Sequence, residues 1–362
     1  MNRRNFMRCA GLAVLTAWGR FGPVLAAEER APEQLGDLLK GIRKDYQLPG
    51  LAAAIVRGNQ IIAEGATGVR KVGTDDKITL EDQFPIGSCT KSMTAMMIAR
   101  VIDSGKLSFD TTLADALPDI EMRDDYRKVT IAQLLTFTGG IQPYTRFGPG
   151  LTPILFELKG SAAQQREQFV KHVLQEKPVV KPGTERKYSN ASFVVAALVA
   201  SRRTGRAWEV LMEEEVFKPL RLTKVGLGRT RTKEHPNEPW LHRKGDKGYE
   251  PEPKEPPAGL AALAGAGGVH CSIRDFARFA SYQLLAAQGK DVLLKPVTAK
   301  RWRELSQAEG AEGRPLFGGT PWMTASYVLW PSKNLAAVVA INGGDAIDAC
   351  KALFKAVEKR HT

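Results

Sequence analysis

Ser88 and Lys91 stand three residues apart in Ser88-Cys89-Thr90-Lys91, at the head of an apolar stretch. Three residues along a helix return to nearly the same face, so a hydroxyl and an amine at this spacing can meet. Serine is a weak nucleophile without a base, and lysine serves as one where burial and a helix N-terminus disfavour its charged form. The pair alone has a plainer reading, an N-capping serine with a lysine lying along the helix. A second element raises its weight. Tyr188-Ser189-Asn190 follows Pro182-Gly183 and precedes another apolar helix. A phenol there can share a proton with a lysine and reach a leaving group, while an asparagine amide can hydrogen-bond both. The histidines form no H-E-x-x-H array and the cysteines no C-x-x-C pair, so neither a metal nor another cofactor is expected.

These residues need elements to hold them. Leu35, Leu38, Leu39 and Ile42 share one helical face, and 51–56 with 60–64 read as two strands around Arg57-Gly58-Asn59. Residues 88–104 are apolar nearly all round, the mark of a central buried helix, with Gly105 placed to end it. The middle of the chain carries helical spacing at 129–135, 164–175, 190–203 and 208–217. Residues 233–257 hold six prolines and little to bury, and read as a long polar loop. A helix at 273–288, strands at 325–330 and 335–341, and a closing helix complete the pattern. With 362 residues the chain has length for about two domains at ~150 residues each. Strand pairs at both chain ends around a helical block imply an α+β fold. The expectation is one antiparallel sheet flanked by helices, from residues 28–105 and 258–362, with a mainly helical domain, 106–257, inserted.

The ordered motifs resemble the serine β-lactamase-like superfamily, in its class C β-lactamase, D,D-peptidase and esterase branch, over residues 35–342. Phe84-Pro85-Ile86-Gly87-Ser88-Cys89-Thr90-Lys91, then Gly105-Lys106-Leu107 and Asp110, is similar to that family's nucleophile helix and its exit. Val129-Thr130-Ile131 with Leu134-Leu135-Thr136 is similar to its following segment. Pro182-Gly183, Tyr188-Ser189-Asn190 and Thr204-Gly205 match its second motif, and Gly267-Gly268-Val269 with Asp275 and Phe279 a later helix entry. The resemblance implies acyl transfer. Ser88 would attack a carbonyl, Lys91 and Tyr188 would relay its proton, and Asn190 would orient Lys91 and the substrate. The backbone N–H groups of Ser88 and Thr320 would form the oxyanion hole.

Two departures bear on the substrate. Where the family has Lys-Thr-Gly or His-x-Gly, this chain has Phe317-Gly318-Gly319, and Phe137-Thr138-Gly139-Gly140 replaces a frequent His-Thr-Ser-Gly. The two glycines still let backbone approach a substrate. Phe317 offers an apolar face instead of a cation, which points to an esterase-like acyl hydrolase of small neutral esters or amides. The alternative is a β-lactamase or D,D-peptidase acting on β-lactams or peptidoglycan stems. A non-catalytic binding protein on the same fold is a third reading.

Hydrophobic residues at 43% and charged residues at 25% exclude a disordered chain, a collagen-like repeat and a polytopic membrane protein. Lys and Arg number 52 against 39 Asp and Glu, a net charge of +13, but the cations are scattered without an aromatic-interleaved block. Nucleic acid is therefore not an expected partner. Arg3, Arg4, Arg8 and Arg20 lie in an acid-free leader, residues 1–27, and Arg3-Arg4 resembles a twin-arginine export signal. The apolar run Cys9 to Trp18 is too short to span ~30 Å of hydrocarbon, and Leu25-Ala26-Ala27 suits cleavage. The expectation is export by the twin-arginine machinery to the periplasm or beyond, without a stable membrane anchor. Three cysteines would remain, Cys89, Cys271 and Cys350, in small or apolar contexts that suit packing.

Overall fold

A continuous apolar run and the Arg57-Gly58-Asn59 turn build a hairpin from β2 (Gly50–Arg57), buried on both faces, and β3 (Gln60–Gly68), with β1 (Glu33–Gln34) along its outer edge. The computed structural model describes residues 31–146, 148–232, 236–252, 258–306 and 312–361. Residues 1–27, expected from the sequence to be an export leader, lie outside them. Later strands are β4 (Gln83–Pro85), β5 (Val225–Leu227), β6 (His242–Gly245), β7 (Gly248–Pro251) and β8 (Val269–Ser272). Strands β9 (Leu316–Thr320), β10 (Met323–Trp330) and β11 (Leu335–Ile341) follow.

The main sheet runs β1-β3-β2-β11-β10-β9, so strands from both chain ends meet at its centre, Ala53 opposite Val339. Five strands are antiparallel, as expected. β1 instead runs parallel to β3, since the chain lies along the edge for two residues before turning into the helix Gly36–Asp45. Two residues are too few to show alternation in a sequence.

Each face of the sheet carries its own apolar cluster. Leu51, Ala53, Ile55, Val328, Trp330 and Val339 pack under the helices Gly36–Asp45 and Ile347–His361. Ala52, Ala54, Val56, Ala325, Tyr327 and Val338 face the helices Thr90–Asp103 and Ile273–Ala287. The middle of the chain, with helices Ala162–Gln175 and Asn190–Thr204, packs into this second cluster. Ten of the fourteen residues of Thr90–Asp103 are buried, which its all-round apolar surface requires. Gly105, at φ +76°, takes the left-handed conformation just past its end.

The Pro-rich stretch is more ordered than its composition suggests. Its described part, 236–252, contains the β6–β7 hairpin, and His242 is fully buried there. The His242 Nδ1 lies 2.8 Å from the Asn342 carbonyl oxygen, and Nε2 accepts the Val72 N–H at 3.1 Å. The imidazole is thus held neutral with its proton on Nδ1, and burial pushes its pKa below the usual histidine value. Cys89, Cys271 and Cys350 are free thiols, each buried, with pKa values pushed up by burial. Among the described residues no helix is long and apolar enough to cross a membrane.

Candidate active site

Ser88 sits in the 3-10 turn Gly87–Cys89 that leads into the helix Thr90–Asp103. Strand β9 passes this turn backbone to backbone. A Cβ on Gly87 (φ +49°) would lie 2.9 Å from the Gly319 nitrogen, so a side chain would push the strand away. The turn is also tied to the segment before β8: Thr90 Oγ1 accepts the Val269 N–H at 3.1 Å, and Thr94 Oγ1 donates to the Gly265 carbonyl at 2.9 Å.

One helical turn on, Lys91 is 4% exposed and its Nζ meets three oxygens. It donates to the Ala266 carbonyl and to Asn190 Oδ1, both at 2.8 Å, and lies 3.0 Å from Ser88 Oγ. Asn190 Nδ2 donates to the Tyr144 carbonyl at 2.8 Å, which fixes the amide so that its oxygen faces Lys91. Two of the three oxygens around Nζ can only accept. They occupy two N–H groups, and the remaining direction points at the serine. In the neutral amine that direction is the lone pair.

The second motif begins the helix Asn190–Thr204. Ser189 is its N-cap, accepting the Ser192 N–H at 3.0 Å and donating to the Gln142 carbonyl at 2.6 Å. Just outside the cap, Tyr188 swings its hydroxyl 2.7 Å from Ser88 Oγ, and its ring centre lies 5.0 Å from Lys91 Nζ. Ser88, Lys91, Tyr188 and Asn190 are therefore one hydrogen-bonded cluster.

The residues of β9 divide by strand parity. Gly318 pairs with Ala325 and lies against Ile86 and Ser88. Thr320, exposed at the strand end, accepts the Trp322 N–H on its Oγ1 at 3.1 Å, and Gly319 beside it is exposed. Phe317 pairs with Ser326 and packs against the cluster under the terminal helices, on the opposite face from Gly318. Successive side chains on a strand point to opposite faces. The structure thus brings Gly318 to Ser88 and turns the Phe317 side chain to the other face.

Ala266 and Tyr144 belong to the cluster through backbone carbonyls, and no side-chain type announces such a role. Phe137, marked in the sequence only as a departure, packs its ring 4.8 Å from that of Tyr188.

Comparison with known proteins identifies the family. The profile of the beta-lactamase family matches residues 35–347. Penicillin-binding protein 4 of Amycolatopsis lactamdurans is 30% identical over 346 residues, covering 87% of this chain and 86% of that protein. A beta-lactamase of Escherichia coli K12 is 23% identical over 320 residues, covering 87% of this chain and 76% of its own. Among solved structures, EstCE1, "a hydrolase with promiscuous acyltransferase activity", superposes with a TM-score of 0.68 at 19% identity, covering 86% of this chain and 94% of that one, a likeness of fold alone. The family match runs from residue 35 through the Ser88 turn and the Tyr188 motif to past the end of β11, and the chain belongs to the beta-lactamase family.

Proposed function

We propose that this family member is an exported serine hydrolase acting through an acyl-Ser88 intermediate, with esterase-like preference for small neutral acyl donors. One observation carries the reading: Ser88 Oγ lies within hydrogen-bond distance of both Lys91 Nζ and Tyr188 Oη, at 3.0 and 2.7 Å. Neutral Lys91 takes the serine proton as Oγ bonds to the substrate carbonyl carbon. The proton passes through Tyr188 to the leaving alkoxide as the old C–O bond breaks. Water then attacks the acyl carbon, giving its proton back through the same groups and freeing Ser88. The N–H groups of Ser88 and Thr320 hold the developing oxyanion.

The substrate preference rests on β9. The position it turns toward Ser88 is Gly318, which carries no side chain, while Phe317 lies on the other face. A substrate carboxylate finds no charge-assisted hydrogen bond from that strand, a contact worth ~1.5–3 kcal/mol, or about 10- to 150-fold in discrimination. The second reading, action on β-lactams or peptidoglycan stems, is favoured by the 30% identical penicillin-binding protein. Turnover of p-nitrophenyl butyrate against benzylpenicillin decides between them. A higher kcat/KM for the ester supports the esterase reading, and efficient penicillin hydrolysis with an inert ester replaces it with the second.

Export rests on Arg3-Arg4 and the short apolar run that follows. Replacing both arginines by lysine should retain the protein in the cytoplasm of a host with twin-arginine machinery. Unchanged export would refute that route.

A further inference from the structure

Phe137 has a left-handed backbone, φ +60°, at a position where glycine would be the unstrained choice. A bulky residue keeps such a conformation only where its surroundings over-determine it. Here they do. The Phe137 carbonyl accepts the Lys187 N–H at 2.9 Å, and the Thr138 carbonyl accepts the Gly183 N–H at 2.8 Å. Further along, the carbonyls of Gln142, Pro143 and Tyr144 accept from Ser189 Oγ, Asn190 N and Asn190 Nδ2. Residues 137–144 are a cradle for residues 183–190, bent by positive φ at Phe137, Gly140 and Tyr144.

Inside the cradle the Phe137 ring is 2% exposed. Its centre lies 4.8 Å from the Tyr188 ring, tilted by 41°, and 5.4 Å from the Phe193 ring. Arg186 covers it, with Cζ 4.9 Å from the ring centre. Tyr188 is 40% exposed, and the Phe137 ring packs against its own.

We infer that Phe137 is a positioning residue for the reaction proposed above, its strained backbone pressing an aromatic ring against Tyr188 so that the phenol stays over Ser88. It touches no reacting atom and acts through Tyr188. Tilted ring pairs at this separation are directional, whereas an aliphatic side chain fills the space without fixing the plane of its neighbour.

The test is rapid-quench acylation of Ser88 by p-nitrophenyl butyrate in the unsubstituted protein, Phe137→Leu, Tyr188→Phe and the double variant. Phe137→Leu should slow acylation about tenfold with KM little changed, but less than twofold once Tyr188→Phe is present. Phe137→Tyr, which restores a ring, should recover most of the lost rate. Packing alone would slow both backgrounds equally; that result, or no slowing in either, would overturn the inference. Should Phe137→Leu fail to fold, Phe137→Met repeats the cycle, and a folded Phe137→Tyr as slow as the aliphatic variant also overturns it. Absence of any Ser88 acylation in the unsubstituted protein would instead remove the parent reading, and this one with it.

Discussion

Gly318 lies so close to the Ser88 turn that a Cβ there would overlap the Ile86 carbonyl oxygen and sit 2.8 Å from the Ser88 nitrogen. The strand beside the serine is held at a distance only a bare backbone allows. Gly318→Ala must therefore displace β9 or the Ser88 turn, a strain of about 1–3 kcal/mol. It should lower the melting temperature and cut ester kcat/KM by about a hundredfold. Gly319→Ala is the control, because its Cβ would meet nothing nearer than the Met323 carbonyl at 3.5 Å. A thermal melt and initial rates on both variants check the contrast.

Asn190→Asp places a carboxylate where Oδ1 now accepts from Lys91. An adjacent negative charge favours the ammonium, so less of the amine is free to act as base at a given pH. The rising limb of the pH–rate profile should move to higher pH, with a rate loss of about tenfold or more near neutrality. A limb in its original place would show that Lys91 is not the base.

His242 gives the fold its own pH dependence. Burial lowers its pKa in the folded protein from 6.5, so the unfolded chain binds a proton more readily. Its stability contribution is complete above about pH 6.5 and is lost as pH falls through that value toward the folded pKa, at no more than ~1.4 kcal/mol per pH unit. Protonation would also break the Val72 N–H bond to Nε2. Lys71 lies nearby and acts in the same direction. His361 is also shifted down, so the measurement compares urea-unfolding free energies of the protein and His242→Gln between pH 5 and 7.5. The variant should be less stable overall and show a shallower slope.

Phe317→His should leave the ratio of ester to penicillin turnover within about twofold, because position 317 faces the terminal helices rather than Ser88. The same change should lower stability by about 1 kcal/mol, as a half-buried ring is exchanged for a polar one. A large gain in penicillin turnover would place the side chain in the pocket after all.

That residue shows where sequence reading stops. Ser88, Lys91, Tyr188 and Asn190 announce themselves because reactive side chains occur at helix heads, where spacing converts directly into geometry. The hairpin of β2 and β3 and the pair β10–β11 are legible from short apolar runs on either side of a turn. Phe317 is not, because the face of a strand residue depends on a register that one residue reverses. Ala266 and Tyr144 contribute carbonyls, which every residue has. His242 hides in a stretch whose prolines and charges advertise a loop, while its burial is set by Asn342 and Val72, far away in sequence. The strain at Phe137 is a backbone property, invisible until the fold is known.

In the proposed reaction Ser88 carries the acyl group. Intact-protein mass spectrometry, after millisecond mixing with p-nitrophenyl butyrate and an acid quench, measures this directly. The peptide containing Ser88 should gain one butyryl mass, and Ser88→Ala should gain none and also lose turnover. A butyryl adduct on another peptide, or ester hydrolysis undiminished in Ser88→Ala, would contradict it.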